Sequence, residues 1–241
     1  MPNKILDLDM GNSRIKWRLS TGQSGVSRND ALGKFFENDF GVLDRIRVSC
    51  VSNEKIQKQV VSFLAEKYLC KPEIAISKSF CSGLHNNYEN PKFLGVDRWL
   101  ACLSAWNVSN RKAVLIIDAG SAITIDTIND QSEFLGGFII PGLEMMQKAL
   151  VGNTGKIDCD IDARFYAGDR LPTNTQEAVQ GGACLAVLAV VERAVRIFLQ
   201  QWPAGHICFT GGTGMALAQA IGMTEAYYPG LVLDGLAIAL P

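Results

Sequence analysis

A strand–turn–strand pattern occurs twice in the chain and indicates most about its fold. In Ile5–Leu19, apolar residues lead into a short turn at Asp9–Ser13, after which apolar and polar residues alternate. In Val114–Asp126, the same arrangement surrounds the turn Asp118–Ser121. Alternation on both sides of a tight turn predicts a β-hairpin. Because the two hairpins lie about half a chain apart, we expect two related halves that face one nucleotide.

Further strands and helices are predicted after each hairpin. In the first half, the pattern predicts strands at 47–51 and 73–76, and helices that begin near Asn53 and near Gly95. The stretch at 20–29 is polar and rich in Gly and Ser, and 77–94 is predicted to be a long loop. In the second half, predicted strands lie at 134–140 and 207–210, and predicted helices at 143–150, 174–201, after 214 and at 231–240.

This alternation of strands and helices in both halves predicts a duplicated α/β fold. A chain of 241 residues is long enough for one large domain or for two. The polar segment Asn107–Lys112 is the predicted boundary, which gives an N-terminal domain at 1–110 and a C-terminal domain at 111–241.

Composition excludes several classes of function. The 23 basic and 24 acidic residues give a formal charge of −1, which argues against non-specific binding to nucleic acid. No apolar run reaches the roughly 18 residues of a membrane span, and no signal-peptide pattern precedes the first strand. Seven scattered cysteines without a Cys-x-x-Cys pair, and only two histidines, argue against disulfides and a zinc site. We therefore expect a cytoplasmic protein with reduced thiols.

The two turns carry the residue types that phosphate binding needs. Gly11 and Gly120 allow close approach of the backbone to an anion, and nearby N–H groups can surround a phosphate. Asp9 and Asp118 end their strands, where a carboxylate can hold the accompanying cation. A third glycine-rich turn, Gly211–Gly214, follows an apolar strand and begins a helix, as in many nucleotide sites.

The ordered set of motifs resembles the type III pantothenate kinases, a family within the actin, sugar-kinase and heat-shock-ATPase superfamily. Its Asp-x-Gly-Asn-Ser/Thr turn corresponds to Asp9–Ser13, and its Gly-x-Asp-Arg segment to Gly95–Arg98. Its second turn, Asp-x-Gly-Thr-Ala, corresponds to Asp118–Ala122, with Ser121 in place of Thr. The Gly-Gly-x-Ile-x-Pro-Gly, Thr-x-Glu-Ala and Thr-Gly-Gly elements are also present, so the resemblance covers essentially the whole chain.

The resemblance implies a duplicated ribonuclease-H-like, actin-like ATPase fold with two similar α/β domains and a nucleotide cleft between them. It implies phosphorylation of pantothenate by ATP to 4′-phosphopantothenate, the first step of coenzyme A synthesis. It further implies Mg²⁺ or another divalent cation, K⁺ or NH₄⁺ as a monovalent cation, and a homodimer whose pantothenate pocket is shared between subunits.

Residue roles carry over from the matching positions. Asp97 corresponds to the catalytic base and Asp118 to the ligand of the monovalent cation. The substrate-binding residues that the resemblance implies are Tyr88, Gly95, Val96, Asp97, Arg98 and, from the other subunit, Thr175. The ATP-binding residues are Asp9, Met10, Gly11, Asn12, Ser13, Arg14, Ile15, Lys16 and Ser121.

The residues alone leave other interpretations open. Asp97 and Thr175 could simply cap their helices, and Lys16 could belong to a solvent-facing strand edge. Two other functions also fit the pattern: a kinase for a sugar or another small alcohol, and a non-catalytic accessory factor for transcription. Both phosphate turns and the Asp97-Arg98 pair are retained, which favours catalysis, and the short chain argues against most sugar kinases.

Overall fold

The computed structural model describes residues 3–162, 164–165 and 170–241, which fold as two compact units. The first comprises Met1–Asn107 with Gly230–Pro241, and the second comprises Val108–Pro229. The predicted boundary at 110/111 lies close to this division. The final segment, however, was predicted to belong to the C-terminal half, and it packs with the first unit instead.

The first unit contains a five-stranded mixed sheet in the order β3-β2-β1-β4-β5. Its strands are β1 (Ile5–Met10), β2 (Arg14–Leu19), β3 (Ser24–Arg28), β4 (Arg45–Cys50) and β5 (Glu73–Ile74), followed by the hairpin β6 (Phe80–Cys81) and β7 (Leu84–Asn86). Its helices are α1 (Leu32–Phe36), α2 (Glu54–Tyr68), α3 (Val96–Val108) and α7 (Leu231–Ala239).

Strand β1 is central because it pairs antiparallel with β2 and parallel with β4. Alternation along β1 sends Leu6, Leu8 and Met10 into the hydrophobic core of this unit, whereas Asp7 and Asp9 lie on the opposite face. Helix α7 packs against β1 and β4, and its Gly235 lies directly on the Leu100 backbone. This packing explains why the last, strongly apolar helix belongs to the first unit.

Two segments of the first unit contain elements that the sequence did not predict. Strand β3 lies within the polar stretch at 20–29, where the Trp17 indole lies directly over Gly25, so that any side chain at Gly25 would clash with it. The predicted loop at 77–94 instead contains the β6–β7 hairpin and a 3₁₀ turn at Pro91–Phe93. Both were missed because short polar strands lack a clear hydrophobic alternation.

The second unit contains the strands β8 (Val114–Ala119), β9 (Ala122–Ile128), β10 (Glu133–Pro141) and β11 (His206–Thr210), in the order β11-β8-β9-β10. Its helices are α4 (Leu143–Asn153), α5 (Thr175–Gln201) and α6 (Gly214–Ala220). As the capping pattern predicted, the Asn174 side chain accepts a hydrogen bond from Glu177 N at 2.9 Å and begins α5.

Among the described residues, no helix is long and apolar enough to cross a membrane.

Candidate active site

The first phosphate turn joins β1 to β2. Gly11 N donates to Arg14 O at 3.0 Å, which closes the turn, and Asn12, Ser13 and Arg14 are exposed. Met10 and Ile15 flank the turn with side chains buried in the hydrophobic core. Of the predicted ATP-binding residues, these two could therefore reach a ligand only through their backbone.

Asp9, at the end of β1, lies opposite Lys16 on β2 and Ser49 on β4. Side chains at paired positions share one face of a sheet, so the ammonium, the carboxylate and the hydroxyl are neighbours. Asp9 is 7% exposed, and Ser49 is fully buried. Within the described part of the chain, Ser49 Oγ has no hydrogen-bond partner. Ser49 was not predicted from the sequence, because a serine within a strand such as β4 belongs to no recognisable motif.

The oxygen donors at this position suit a divalent cation. Asp9 offers a carboxylate and Ser49 a hydroxyl, and hard cations such as Mg²⁺ prefer oxygen ligands. No group of three or more His, Cys, Asp and Glu side chains that could hold a metal occurs among residues 3–162, 164–165 and 170–241. A divalent ion near Asp9 would thus take most of its ligands from phosphate and water, as Mg²⁺ commonly does.

A buried ion pair lies on the same face of the sheet as Asp9, at Asp7, two residues earlier on β1. Arg47 donates to both carboxylate oxygens of Asp7, at 2.7 and 3.1 Å, and to Leu240 O at 3.1 Å. Arg18 approaches Asp7 at 3.6 Å and pairs with Asp234 of α7 at 2.5 Å. These contacts fix the strand that carries Asp9 to its neighbours.

Asp97 lies in the first turn of α3, as its sequence position predicted. Its Oδ1 accepts a hydrogen bond from Arg98 N at 2.8 Å, so the carboxylate folds back over the start of the helix. A β-carbon at Gly95 would lie 2.8 Å from the same oxygen. Glycine at this position therefore leaves the space in which the Asp97 carboxylate sits.

The structure brings Tyr88 and Arg98 together. Arg98 is buried, with 6% of its surface exposed, and its guanidinium carbon lies 5.9 Å from the centre of the Tyr88 ring. This distance is within the range of a cation–π contact. The pair therefore links the loop before α3 to the helix that carries Asp97.

Two buried polar residues that sequence analysis missed hold this loop. Asn86 donates to Lys78 O at 3.1 Å and Pro91 O at 3.3 Å, and it accepts from Tyr88 N at 3.1 Å. Ser77 Oγ donates to Leu94 O at 2.7 Å. These buried side-chain hydrogen bonds to backbone groups hold the loop in one conformation and thereby fix the backbone position of Tyr88.

The second phosphate turn joins β8 to β9. Gly120 N donates to Ala122 O at 3.1 Å, and Ser121 is exposed. Asp118 is half-buried at the end of β8 and pairs in register with Thr210 on β11. Gly211 follows at φ +91°, and a β-carbon there would lie 2.5 Å from Asp118 Oδ1. Thr213 closes the arrangement with N and Oγ1 both donating to Ala119 O at 3.0 Å.

This geometry forms a cradle of backbone around the Asp118 carboxylate. A β-carbon at Gly142 would lie 2.5 Å from Ser121 O, so the Gly142 backbone packs closely against the backbone of the same turn. Near Gly211, the Asp118 carboxylate and the Ala119 carbonyl group lie together without room for a side chain, and a carboxylate in such a place is a suitable ionic ligand for a cation. Thr175 is the first residue of α5 and is exposed.

The buried Cys208 does not offer a competing nucleophile. All seven are free thiols, and burial raises the pKa of Cys208 to about 12. A thiol with that pKa is almost entirely protonated near neutrality and is a poor nucleophile.

Comparison with known proteins identifies the family. The sequence profile of the type III pantothenate kinases matches residues 5–197. The chain belongs to the type III pantothenate kinase family. Named members include those of Nitrosomonas eutropha, 32% identical over 97% of this chain and 93% of that protein, and Pseudomonas fluorescens, 35% identical over 98% and 99%.

Solved structures confirm the actin-like fold. A protein from Campylobacter jejuni, described as a Baf family transcriptional activator, is similar with a TM-score of 0.64 and 24% identity, over 96% of this chain and 95% of that one. The archaeal actin homologue Ta0583 in complex with ADP is similar with a TM-score of 0.50 and 12% identity, over 97% of each chain. At these identities the likeness shows the fold alone, and the family is shown by the sequence relatives.

Proposed function

We propose that this member of the family transfers the γ-phosphoryl group of ATP to the primary hydroxyl of pantothenate and yields 4′-phosphopantothenate. This is the first step of coenzyme A synthesis. The observation that carries the proposal is the complete Gly95–Arg98 segment, in which Gly95 leaves room for a carboxylate held at the start of α3.

Asp97 is the general base in this proposal. Its Oδ1 accepts a hydrogen bond from Arg98 N, which holds the carboxylate at the start of α3. In this proposal, Oδ2 accepts the proton of the substrate hydroxyl. The hydroxyl proton passes to Asp97, the hydroxyl oxygen forms a bond to the γ-phosphorus, and the bond to the leaving ADP oxygen breaks. Positioning and proton removal are the main tasks of a protein in phosphoryl transfer.

Arg98 and Tyr88 form the acceptor side of the proposed site. A guanidinium offers donors to polar oxygens of pantothenate or of the transferring group. The Tyr88 ring restricts Arg98 from one side, and Asn86 fixes the Tyr88 backbone. Gly95 and Val96 contribute backbone at the same helix start.

The first turn holds ATP phosphate in this proposal. Asn12 and Ser13 offer backbone N–H groups, Gly11 lets the backbone approach the phosphate closely, and Arg14 and Lys16 act as counter-charges. When bound beside Asp9, a divalent cation such as Mg²⁺ neutralises charge on the phosphates. Ser49 supplies a further oxygen donor on that face.

The second turn is the proposed site of K⁺ or NH₄⁺. Asp118 is the ionic ligand, and a cation there offsets repulsion between this carboxylate and phosphate oxygens. Ser121 is proposed to contact ATP through its exposed hydroxyl.

The proposed working unit is a homodimer in which Thr175 completes the partner's pantothenate pocket. Helix α5 supports this proposal because it leaves large apolar side chains exposed on one face, with Val190 at 39% and Ile197 at 48%, seven positions apart. Burying such a face in a second copy would be favourable. We also propose a cytoplasmic location, since seven free thiols suit a reducing compartment.

One coupled assay tests the activity. Purified protein with ATP, Mg²⁺ and K⁺ should release ADP when pantothenate is added, and 4′-phosphopantothenate should be detected by mass spectrometry. Sugars and other small alcohols serve as control acceptors. Turnover with one of these acceptors and not with pantothenate would reject the proposal. A protein that turns over no ATP with any acceptor but binds a component of the transcription machinery would also reject it.

A further inference from the structure

Asn29 makes three hydrogen bonds to the first phosphate turn, although no sequence motif includes it. Its Nδ2 donates to Gly11 O at 2.8 Å and to Asn12 O at 2.9 Å. Its backbone N donates to Ser13 O at 3.0 Å. One residue, just after β3, therefore occupies the carbonyl groups of three successive turn residues.

These bonds determine where the turn amides point. A trans peptide is planar, with its C=O and N–H directed to opposite sides, and the described residues contain no cis peptide. The Gly11 and Asn12 carbonyls point to Asn29, so the N–H groups of Asn12 and Ser13 point away from it. Successive N–H groups directed to one side form an anion-binding concavity.

We propose that Asn29 is a positioning residue that orders this turn for nucleotide phosphate. The proposal rests on the proposed use of ATP at the turn. A short neutral amide suits this position, because its Nδ2 has the two N–H donors that the two carbonyl oxygens accept and it adds no charge beside the turn. An aspartate would place negative oxygens against those carbonyls and add charge beside the phosphate.

The chain offers a matched control in the same unit. Asn38 also bridges two backbone carbonyls with its Nδ2, those of Lys34 at 3.1 Å and Phe35 at 2.8 Å. These carbonyls belong to α1 and not to the turn. Asn38→Ala and Asn38→Asp therefore remove the same kind of contact without touching the proposed phosphate site.

The test is calorimetric binding of a non-hydrolysable ATP analogue with Mg²⁺ to full-length variants. Asn29→Ala should raise Kd about tenfold, which is about 1.4 kcal/mol, and Asn29→Asp should raise it further. KM for ATP should rise in parallel, whereas KM for pantothenate should stay within about twofold of wild type. The Asn38 variants should leave the Kd of the analogue and the KM for ATP unchanged. Asn29→Ser, which keeps the backbone bond and a short donor, provides an intermediate variant if Asn29→Asp does not fold.

Binding within twofold of wild type in folded Asn29→Ala and Asn29→Ser would overturn the proposal. Equal weakening by the Asn38 variants would also overturn it, because the effect would then be general destabilisation. A wild-type protein that binds the analogue but does not phosphorylate pantothenate would reject the proposed function and leave the role of Asn29 standing. A wild-type protein that binds no nucleotide would overturn both.

Discussion

The Asp97 carboxylate occupies the space that a side chain at Gly95 would need, at the start of α3. A β-carbon at Gly95 would lie 2.8 Å from Asp97 Oδ1, the oxygen that accepts the Arg98 N–H. This contact is shorter than van der Waals packing allows, so a side chain at Gly95 would force the carboxylate to move. The glycine of the Gly-x-Asp-Arg segment is thus explained by the aspartate two residues later.

Asp97→Asn should lower turnover by about 10²-fold or more, the scale of a lost general base, with nucleotide binding nearly unchanged. Gly95→Ala should lower turnover about tenfold or more, because a displaced catalytic group loses its alignment. Gly33→Ala is the control, since a β-carbon there meets nothing within 4 Å. Steady-state kinetics with pantothenate measures all three. Asp97→Asn turnover within a few-fold of wild type, in protein free of host kinase, would contradict the assigned role.

The sequence predicted those parts of the site that depend on local pattern. Both turns, the α5 cap at Asn174 and the start of α3 lie where the sequence predicted them, because glycine turns and capping residues act within a few positions.

What the sequence did not predict depends on contacts between distant positions. Arg47 bonds Asp7 across β4 and β1, and Asn29 reaches back to Gly11 from the end of β3. Strand register, which places Ser49 beside Asp9, also requires the pairing of strands forty residues apart in sequence. Helix α7 belongs to the first unit for the same reason, since its apolar character does not specify which sheet it covers.

Activity should depend on K⁺ or NH₄⁺ and collapse in Na⁺-only buffer, through a site that includes Asp118. Asp118→Asn should weaken this dependence. Gly211→Ala should weaken it as well and destabilise the protein, because the added carbon would lie 2.5 Å from Asp118 Oδ1 at φ +91°. Rates are measured across a K⁺ titration after dialysis into sodium salts.

Gly222→Ala separates the two effects of the Gly211 substitution. Gly222 also has a positive φ, +72°, but a β-carbon there meets nothing within 4 Å. The Gly222→Ala variant should lose stability only through the strain of a left-handed backbone conformation, and the dependence of its activity on K⁺ should be unchanged. Equal rates in Na⁺ and K⁺ for the wild type would remove the monovalent-cation hypothesis.

Arg47→Ala should lower the free energy of unfolding by about 3–5 kcal/mol, because it leaves Asp7 as an uncompensated buried charge. The Arg47 and Asp7 side chains are only 9% and 7% exposed. Arg45, on the same strand, makes a similar two-bond contact to Glu73 with side chains 27% and 43% exposed. Arg45→Ala should cost about 1 kcal/mol or less. Urea unfolding compares the two, and equal losses would contradict the buried role of Arg47.

Stability should decrease as the pH falls below about 6.5, in part through His206. Burial lowers the pKa of His206 in the folded protein from its ordinary value of 6.5, with Lys112 adding to the effect. The unfolded chain therefore binds the proton first, so acid favours unfolding, and the stabilisation is retained above pH 6.5. His206→Gln should show a smaller decrease in Tm between pH 7.5 and 5.5 than the wild type.

His85→Gln is the matched control for this pH effect, since His85 is the only other histidine and is exposed. Its Tm difference between the two pH values should equal that of the wild type. If the decrease in Tm between pH 7.5 and 5.5 were the same in His206→Gln as in the wild type, His206 would not contribute to the pH dependence.

The last prediction concerns the shared pocket of the proposed homodimer. Asp97→Asn and Thr175→Arg should each abolish most activity, the second because Thr175 is exposed at the start of α5, where a large cation would enter the partner's pocket. Mixed dimers of these two inactive variants contain one doubly damaged pocket and one intact pocket. Because half of the dimers are mixed under random exchange, activity should recover to about a quarter of wild type. Subunit exchange is verified with two affinity tags, and sedimentation gives the oligomeric state. A lack of recovery despite exchange, or a fully active monomer, would show that each chain builds its own pocket.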